Sequence, residues 1–213
     1  MHMIPLALAI ALTTASAPPD HDPRTAPTRL VHALFTVEGV TGQVASIGDV
    51  DGDGVSDLVA ERGGLLVLHA GGDGAELGVL VEGITAARHG ASAWAAGPDV
   101  DGDGVRDIVV TVNQKGALLL RLVSGRTGEE VHTRPAPAGN PQAVVWIGDV
   151  DGDEEYDVAF GDGDADEVVI VSGETWSEVW RTRVPGLDAG TLRMQNVGDR
   201  TSDGVDDLLI DVG

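Results

Sequence analysis

One nine-residue acidic pattern recurs four times at a constant interval, and that interval limits what the chain can fold into. IGDVDGDGVSDLV begins at Ile47, GPDVDGDGVRDIV at Gly97, IGDVDGDEEYDVA at Ile147 and VGDRTSDGVDDLL at Val197, 50 residues apart each time. A period without drift means that each copy sits in one structural unit of constant size, the signature of a repeat architecture.

The residues around the pattern give the content of the unit. A short apolar run precedes each acidic loop (QVASIG, SAWAAG, QAVVWIG, LRMQNVG) and another follows it (DLVA, DIVVTV, DVAF, DLLI). A third run, LLVLHA, ALLLRLVSG or VVIVSG, leads through a turn to a fourth, AELGVLVEG, EEVHTRP or SEVWRTRVPG. These are strand lengths bounded by Gly, Asp and Pro turn signals, and no helical periodicity is visible beyond the first residues. Four strands in a unit of about 40 to 50 residues is the arithmetic of a propeller blade. The chain is therefore predicted to be all-β, made of β-propeller blades of four antiparallel strands, with about three and a half blades present. Val31 to Val37, VHALFTV, reads as a fourth strand that completes another blade, and the tiling ends two strands into the last unit. That count predicts a partial propeller, as an open array or a portion of a longer protein.

The acidic loop has its own chemistry. DVDGDGVSD places carboxylates at positions one, three, five and nine, and four Asp so close repel one another unless a cation compensates. Calcium takes about 6 to 8 oxygen ligands in flexible geometry, which short carboxylates wrapped round a turn can supply. In the first loop the ligands would be Asp49, Asp51, Asp53 and Asp57, with the carbonyl of Val55 at position seven and Gly54 allowing the turn at position six. The second loop offers Asp99, Asp101, Asp103, the Val105 carbonyl and Asp107. The third offers Asp149, Asp151, Asp153, the Glu155 carbonyl and Asp157, but carries Glu154 where Gly is expected. The fourth offers Asp199, Thr201, Asp203, the Val205 carbonyl and Asp207, and the hydroxyl at position three removes a charge. Occupancy is expected to rank the first two loops above the third and the fourth last. An EF-hand is excluded, because position twelve is Ala60, Val110, Phe160 or Ile210 and a strand follows at once.

These loops and their spacing resemble the FG-GAP/VCBS repeats of integrin α-subunit propellers and of many bacterial secreted proteins. The resemblance runs from about residue 30 to Gly213. It implies that DxDxDGxxD sits in the hairpin between the first two strands of each blade and binds Ca2+ there. It further implies a non-enzymatic binding or adhesion module, with an extracellular protein or glycan as partner. The alternatives are a calcium-stabilised portion of a larger secreted enzyme, such as a polysaccharide lyase, and a structural surface scaffold.

Charge excludes other partners. The formal net charge is −22, from 35 acidic and 13 basic residues, and Lys115 is the single Lys. Nucleic acid and anionic membranes need the opposite balance. Ile4 to Leu12 is apolar but far short of the roughly 20 residues that span a bilayer, and no other segment suits membrane insertion. With TTASA after it, the run reads as a signal peptide over residues 1–17, cut after Ala15 or Ala17. Residues 18–29 read as a Pro-rich linker, residues 30–213 as the repeats, and the destination as secreted. No Cys is present, so thiolate metal sites and disulfides are excluded.

The remaining features read as structural. GDGDADE, Gly161 to Glu167, is a turn with a secondary metal reading through Asp162, Asp164 and Asp166. Six scattered His form no spaced pair, and Ser124 and Ser172 lack a nucleophile elbow. Trp94, Trp146, Trp176 and Trp180 are expected to fill blade interfaces.

Overall fold

A computed structural model describes residues 8–10, 35–84, 94–136, 143–162, 165–186 and 192–211. Three sheets of four antiparallel strands follow one another along the chain. The first is β3 (Val44–Gly48), β4 (Asp57–Arg62), β5 (Leu65–His69) and β6 (Glu76–Glu82), hydrogen-bonded in chain order. The second is β7 (Trp94–Ala96), β8 (Ile108–Gln114), β9 (Ala117–Val123) and β10 (Glu130–Pro135). The third is β11 (Ala143–Trp146), β12 (Val158–Asp162), β13 (Glu167–Val171) and β14 (Glu178–Arg183). A two-stranded sheet, β15 (Arg193–Asn196) with β16 (Leu208–Asp211), opens a fourth unit. Every strand expected between Gln43 and Ile210 is present, in three four-stranded sheets and one two-stranded sheet that, among the described residues, do not close into a ring.

The inner strands explain the apolar runs. β8 turns Ile108 and Val110 towards the first sheet, where they meet Ile47, Val59, Leu66, Leu68 and Trp94. Its alternate residue Val109 turns the other way, into a cluster with Leu120, Val144, Val158 and Phe160. Both faces of the sheet are buried, so the strand is continuously apolar instead of alternating with polar residues. β12 repeats the arrangement, with Phe160 facing the second sheet and Ala159 packing with Ile147, Met194 and Leu208. Each fully buried Val, Leu, Ile or Phe contributes about 1.5–3 kcal/mol, and this stack of interfaces is the core. The first strands β3, β7, β11 and β15 touch in succession, so they form the inner wall of the array.

Three tryptophans fill interfaces as expected. Trp94 is buried against the first sheet, the Trp146 Nε1–H donates to the Ala95 carbonyl at 3.2 Å, and Trp176 stacks on His132 with ring centroids 5.5 Å apart. Trp180 departs from the expectation. It lies on the outer strand β14 and is 47% exposed, because only the inner strands are covered on both faces.

Phe35–Val37 forms β2, but it pairs with β1 (Leu8–Ile10) and with no further strand among the described residues. Phe35, Val37 and Val40 pack beside Val44 and Ala60 at the flank of the first sheet. Strand β1 falls within the stretch read as a leader. The rest of residues 1–17, the linker at 18–29, residues 31–34 and Asp164 lie outside the described residues. Among the described residues no helix is long and apolar enough to cross a membrane.

Candidate metal centre

Each acidic loop joins the first strand of a unit to the second, β3 to β4, β7 to β8, β11 to β12 and β15 to β16. All four share one network of side-chain to backbone hydrogen bonds. The Asp at position one accepts from three amides. For Asp99 these are Gly102 and Asp103 on Oδ1, at 2.7 and 3.0 Å, and Gly104 on Oδ2, at 2.8 Å. Asp49, Asp149 and Asp199 accept from the matching amides. The Asp at position five accepts from the amide of position seven, at 2.7 Å for Val55, 2.8 Å for Val105, 2.9 Å for Glu155 and 3.0 Å for Val205. These amides anchor the residues whose carbonyls are the seventh-position oxygens.

Position nine is a clasp. Asp57, Asp107 and Asp157 are fully buried. Asp107 accepts from Val100 and Asp101 on Oδ2, at 2.8 and 3.2 Å, and from Gly125 on Oδ1, at 3.1 Å. Asp57 does the same with Val50, Asp51 and Gly71, and Asp157 with Val150 and Gly173. Asp207 holds Arg200 and Thr201. The glycine that donates from the end of the third strand has no substitute. A Cβ on Gly71, Gly125 or Gly173 would sit 2.0, 2.0 or 2.1 Å from the carbonyl oxygen of the residue at position eight. Sequence reading missed these glycines. Their signal was the small-residue pair ahead of each turn, Ala70-Gly71, Ser124-Gly125 and Ser172-Gly173.

The loop needs two left-handed residues, not one. Position six is Gly54 (φ 85°), Gly104 (88°), Glu154 (71°) and Gly204 (91°), and position four is Gly52 (84°), Gly102 (79°), Gly152 (87°) and Ser202 (62°). Glu154 and Ser202 therefore adopt a conformation that costs a residue with a Cβ.

Three loops gather carboxylate oxygens. Asp49, Asp51 and Asp53 bring one oxygen each within 4.8 Å of one another, as do Asp99, Asp101 and Asp107, and Asp149, Asp151 and Asp157. The membership differs for a physical reason. In the second loop Asp103 is drawn aside by Arg126, whose Nε lies 3.4 Å from its Oδ2, and by the Ser124 hydroxyl. In the third loop Ser172 donates to Asp153 Oδ2 at 3.0 Å. The first unit has Ala70 at that place, and Asp53 joins its triad. The serines thus position an acidic side chain. In the fourth loop, with Thr201 at position three, no such triad occurs among the described residues.

The electrostatics mark the crowding. Desolvation lifts the carboxyls of Asp107 and Asp157 above the usual range, and the neighbouring charge of Asp101, or of Asp151 and Asp153, adds to it against the hydrogen bonds they accept. At Asp51 the Asp53 amide pulls the carboxyl down, but desolvation and the charges of Asp57, Asp53 and Asp49 together raise it. The Gly104 amide leads the lowering at Asp99, and the Glu155 amide does so at Asp153.

Comparison with known proteins agrees with this architecture. Residues 99–160, from the second acidic loop to the end of the apolar run after the third, match the family described as FG-GAP-like repeat. Over those residues the chain is similar to that repeat. No curated protein matches it. Among solved structures, the rhamnogalacturonan lyase of Bacillus licheniformis is similar over 80% of this chain and 39% of its own, with 20% identity and a TM-score of 0.51. The exotype rhamnogalacturonan lyase YesX is similar over 95% of this chain and 42% of its own, with 18% identity and a TM-score of 0.52. Identity this low establishes a common fold, and this chain spans about two fifths of the length of those structures. The matched FG-GAP-like segment holds two of the three carboxylate triads.

Proposed function

We propose that this chain is a secreted calcium-binding propeller module that holds a protein or glycan ligand without catalysing a reaction. The observation that carries the reading is the convergence of three carboxylate triads, each built on positions one and three of a repeated loop. Position three makes the case sharpest. Positions one and nine each accept several backbone amides and so fold the loop. Among the described residues, Asp51, Asp101 and Asp151 each accept only the amide of position five, at 3.0, 3.1 and 3.3 Å. The fourth loop keeps the same backbone network with Thr201 there. Folding the turn therefore does not require an acid at position three, which leaves the acids there for a cation. The donors are all carboxylate or carbonyl oxygens, the hard set that suits calcium and not softer metals. Asp49, Asp51, Asp53 and the Val55 carbonyl would hold one ion, and the second and third loops one each, the ion cancelling the repulsion between the acids.

Extracellular calcium modules bind at about 10⁻⁴ to 10⁻³ M. At about ten times the dissociation constant, each site adds about 1.4 kcal/mol. Thermal unfolding in EDTA, CaCl₂ and MgCl₂ tests the reading. The midpoint is expected to rise by several degrees in millimolar calcium and much less in magnesium, which demands stricter octahedral geometry. A midpoint indifferent to calcium overturns it.

The likeness to two rhamnogalacturonan lyases favours a second reading, in which the chain is the propeller portion of a polysaccharide lyase. Release of unsaturated, ultraviolet-absorbing products from rhamnogalacturonan separates the two.

A further inference from the structure

Position eight of each loop is the one place where all four repeats differ, as Ser56, Arg106, Tyr156 and Asp206. It lies between the seventh-position carbonyl and the position-nine clasp. Arg106 and Tyr156 line a cavity of ≈ 530 Å³ along the inner wall, together with Gln43 and Gln195. A cavity of about 300–1,000 Å³ takes a small ligand.

Arg106 is the one basic side chain in the cavity lining. Its guanidinium donates to three carbonyls, Gly97 through Nε at 2.8 Å, Ser46 through Nη1 at 3.3 Å and Ala96 through Nη2 at 3.2 Å. Like Arg134, Arg193 and Arg200, it makes no ion pair among the described residues, whereas Arg62, Arg121, Arg126, Arg181 and Arg183 do. A guanidinium carries about five N–H donors in a planar fork, so two remain for a ligand. The carbonyls fix its plane without cancelling its charge. Tyr156 is 53% exposed, and its ring is an apolar face at the cavity wall. The side-chain amides of Gln43 and Gln195 make no hydrogen bond among the described residues and are free to serve hydroxyls.

We infer that this cavity binds a carboxylate-bearing sugar, with Arg106 on the carboxylate, Tyr156 against the C–H face of the ring and the two amides on hydroxyls. A single cation in the cavity lining, within a molecule of net charge −22, selects a single negative charge. An acidic peptide or other polyanion meets repulsion from the surrounding loops. The inference deepens the binding-module reading above by naming its ligand class.

Calorimetric titration of the full chain in calcium, with D-glucuronate, D-glucose, acetate and an oligoglutamate peptide, tests it. Glucuronate is expected to bind about 10- to 100-fold more tightly than glucose, the value of a charge-assisted hydrogen-bond pair. Arg106→Gln should abolish that preference. Because Arg106 also secures three carbonyls, Tyr156→Ala provides a variant that leaves the backbone network intact. It should weaken glucuronate and glucose alike by about 3- to 10-fold and preserve their ratio. Equal binding of glucuronate and glucose, no binding of glucuronate, an unchanged preference in Arg106→Gln, or tighter binding of the peptide overturns the inference. Calcium-dependent melting without glucuronate binding sinks the cavity assignment alone. Glucuronate binding without a calcium effect sinks the metal reading alone.

Discussion

Glu154 shows what a single residue reveals about the loop. Its φ of 71° is held because its amide donates to Asp149 Oδ2 at 2.8 Å, so the network imposes the conformation that the side chain resists. Removing the Cβ should release about 1 kcal/mol, less the entropy that glycine adds to the unfolded chain. Glu154→Gly is therefore expected to raise the melting midpoint by about 2–4 °C for a chain of this size. Gly152→Ala, at φ 87° with open space round the Cβ position, should lower it by a similar amount through backbone strain alone. Equal midpoints in the three proteins would show that the loop backbone is not fixed by Asp149. The strain at position six was legible, because Glu replaces Gly in an otherwise repeated word. The left-handed position four was not read, since its Gly looked like ordinary turn composition. Glu61 was missed for another reason. Burial raises its carboxyl, and its Oε2 would meet a Cβ on Gly42 at 2.3 Å, but nothing in the run DLVAER marks that Glu as inward-facing.

At the scale of the element, the acids of the loop take unequal shares in folding and in cation binding. The notation DxDxDGxxD treats its four Asp as equivalent ligands, but the geometry does not. Asp107 both ties the loop to the end of β9 through Gly125 and belongs to the triad, while Asp101 accepts one amide and serves the triad. Asp107→Asn is expected to lower stability by about 2–3 kcal/mol in EDTA, since charge-assisted bonds to buried amides are lost, and to reduce the calcium-dependent gain as well, since its carboxylate belongs to the triad. Asp101→Asn should leave the EDTA midpoint unchanged and reduce the calcium-dependent gain by about 1 kcal/mol. If Asp107→Asn keeps the EDTA midpoint, or Asp101→Asn lowers it, the division of roles is wrong. The reason it escaped the sequence is physical. Which acid becomes the clasp depends on a glycine 14 to 18 residues further along the chain (Asp57 and Gly71, Asp107 and Gly125), brought close only once the third strand has paired. The diversion of Asp103 by Arg126 is equally non-local, because the same guanidinium also reaches the Val50 carbonyl of the preceding loop.

For the whole molecule, the fixed period was sufficient to read the strand order, since one word repeated every 50 residues leaves each unit a single place in the array. What the period could not show was how the flanks are covered. β2 pairs with β1, and β16 has β15 as its only partner among the described residues. The inner faces of Leu208 and Ile210 pack on the third unit, but Leu209 between them is 56% exposed beside an unpaired strand edge. Such an edge templates association. The net charge opposes that association at low ionic strength, and salt or bound calcium relieves the opposition. The chain is therefore expected to self-associate in calcium at about 0.15 M salt, where exposed charges are screened beyond about 8 Å. Light scattering coupled to size-exclusion chromatography should show a mass that rises with concentration through the micromolar range. Leu209→Lys, which sets a charge on the edge strand without touching the inner faces, should return the chain to a monomer with an unchanged melting midpoint. A wild-type chain that elutes as a monodisperse monomer at every concentration would show that the β16 edge is covered within the molecule.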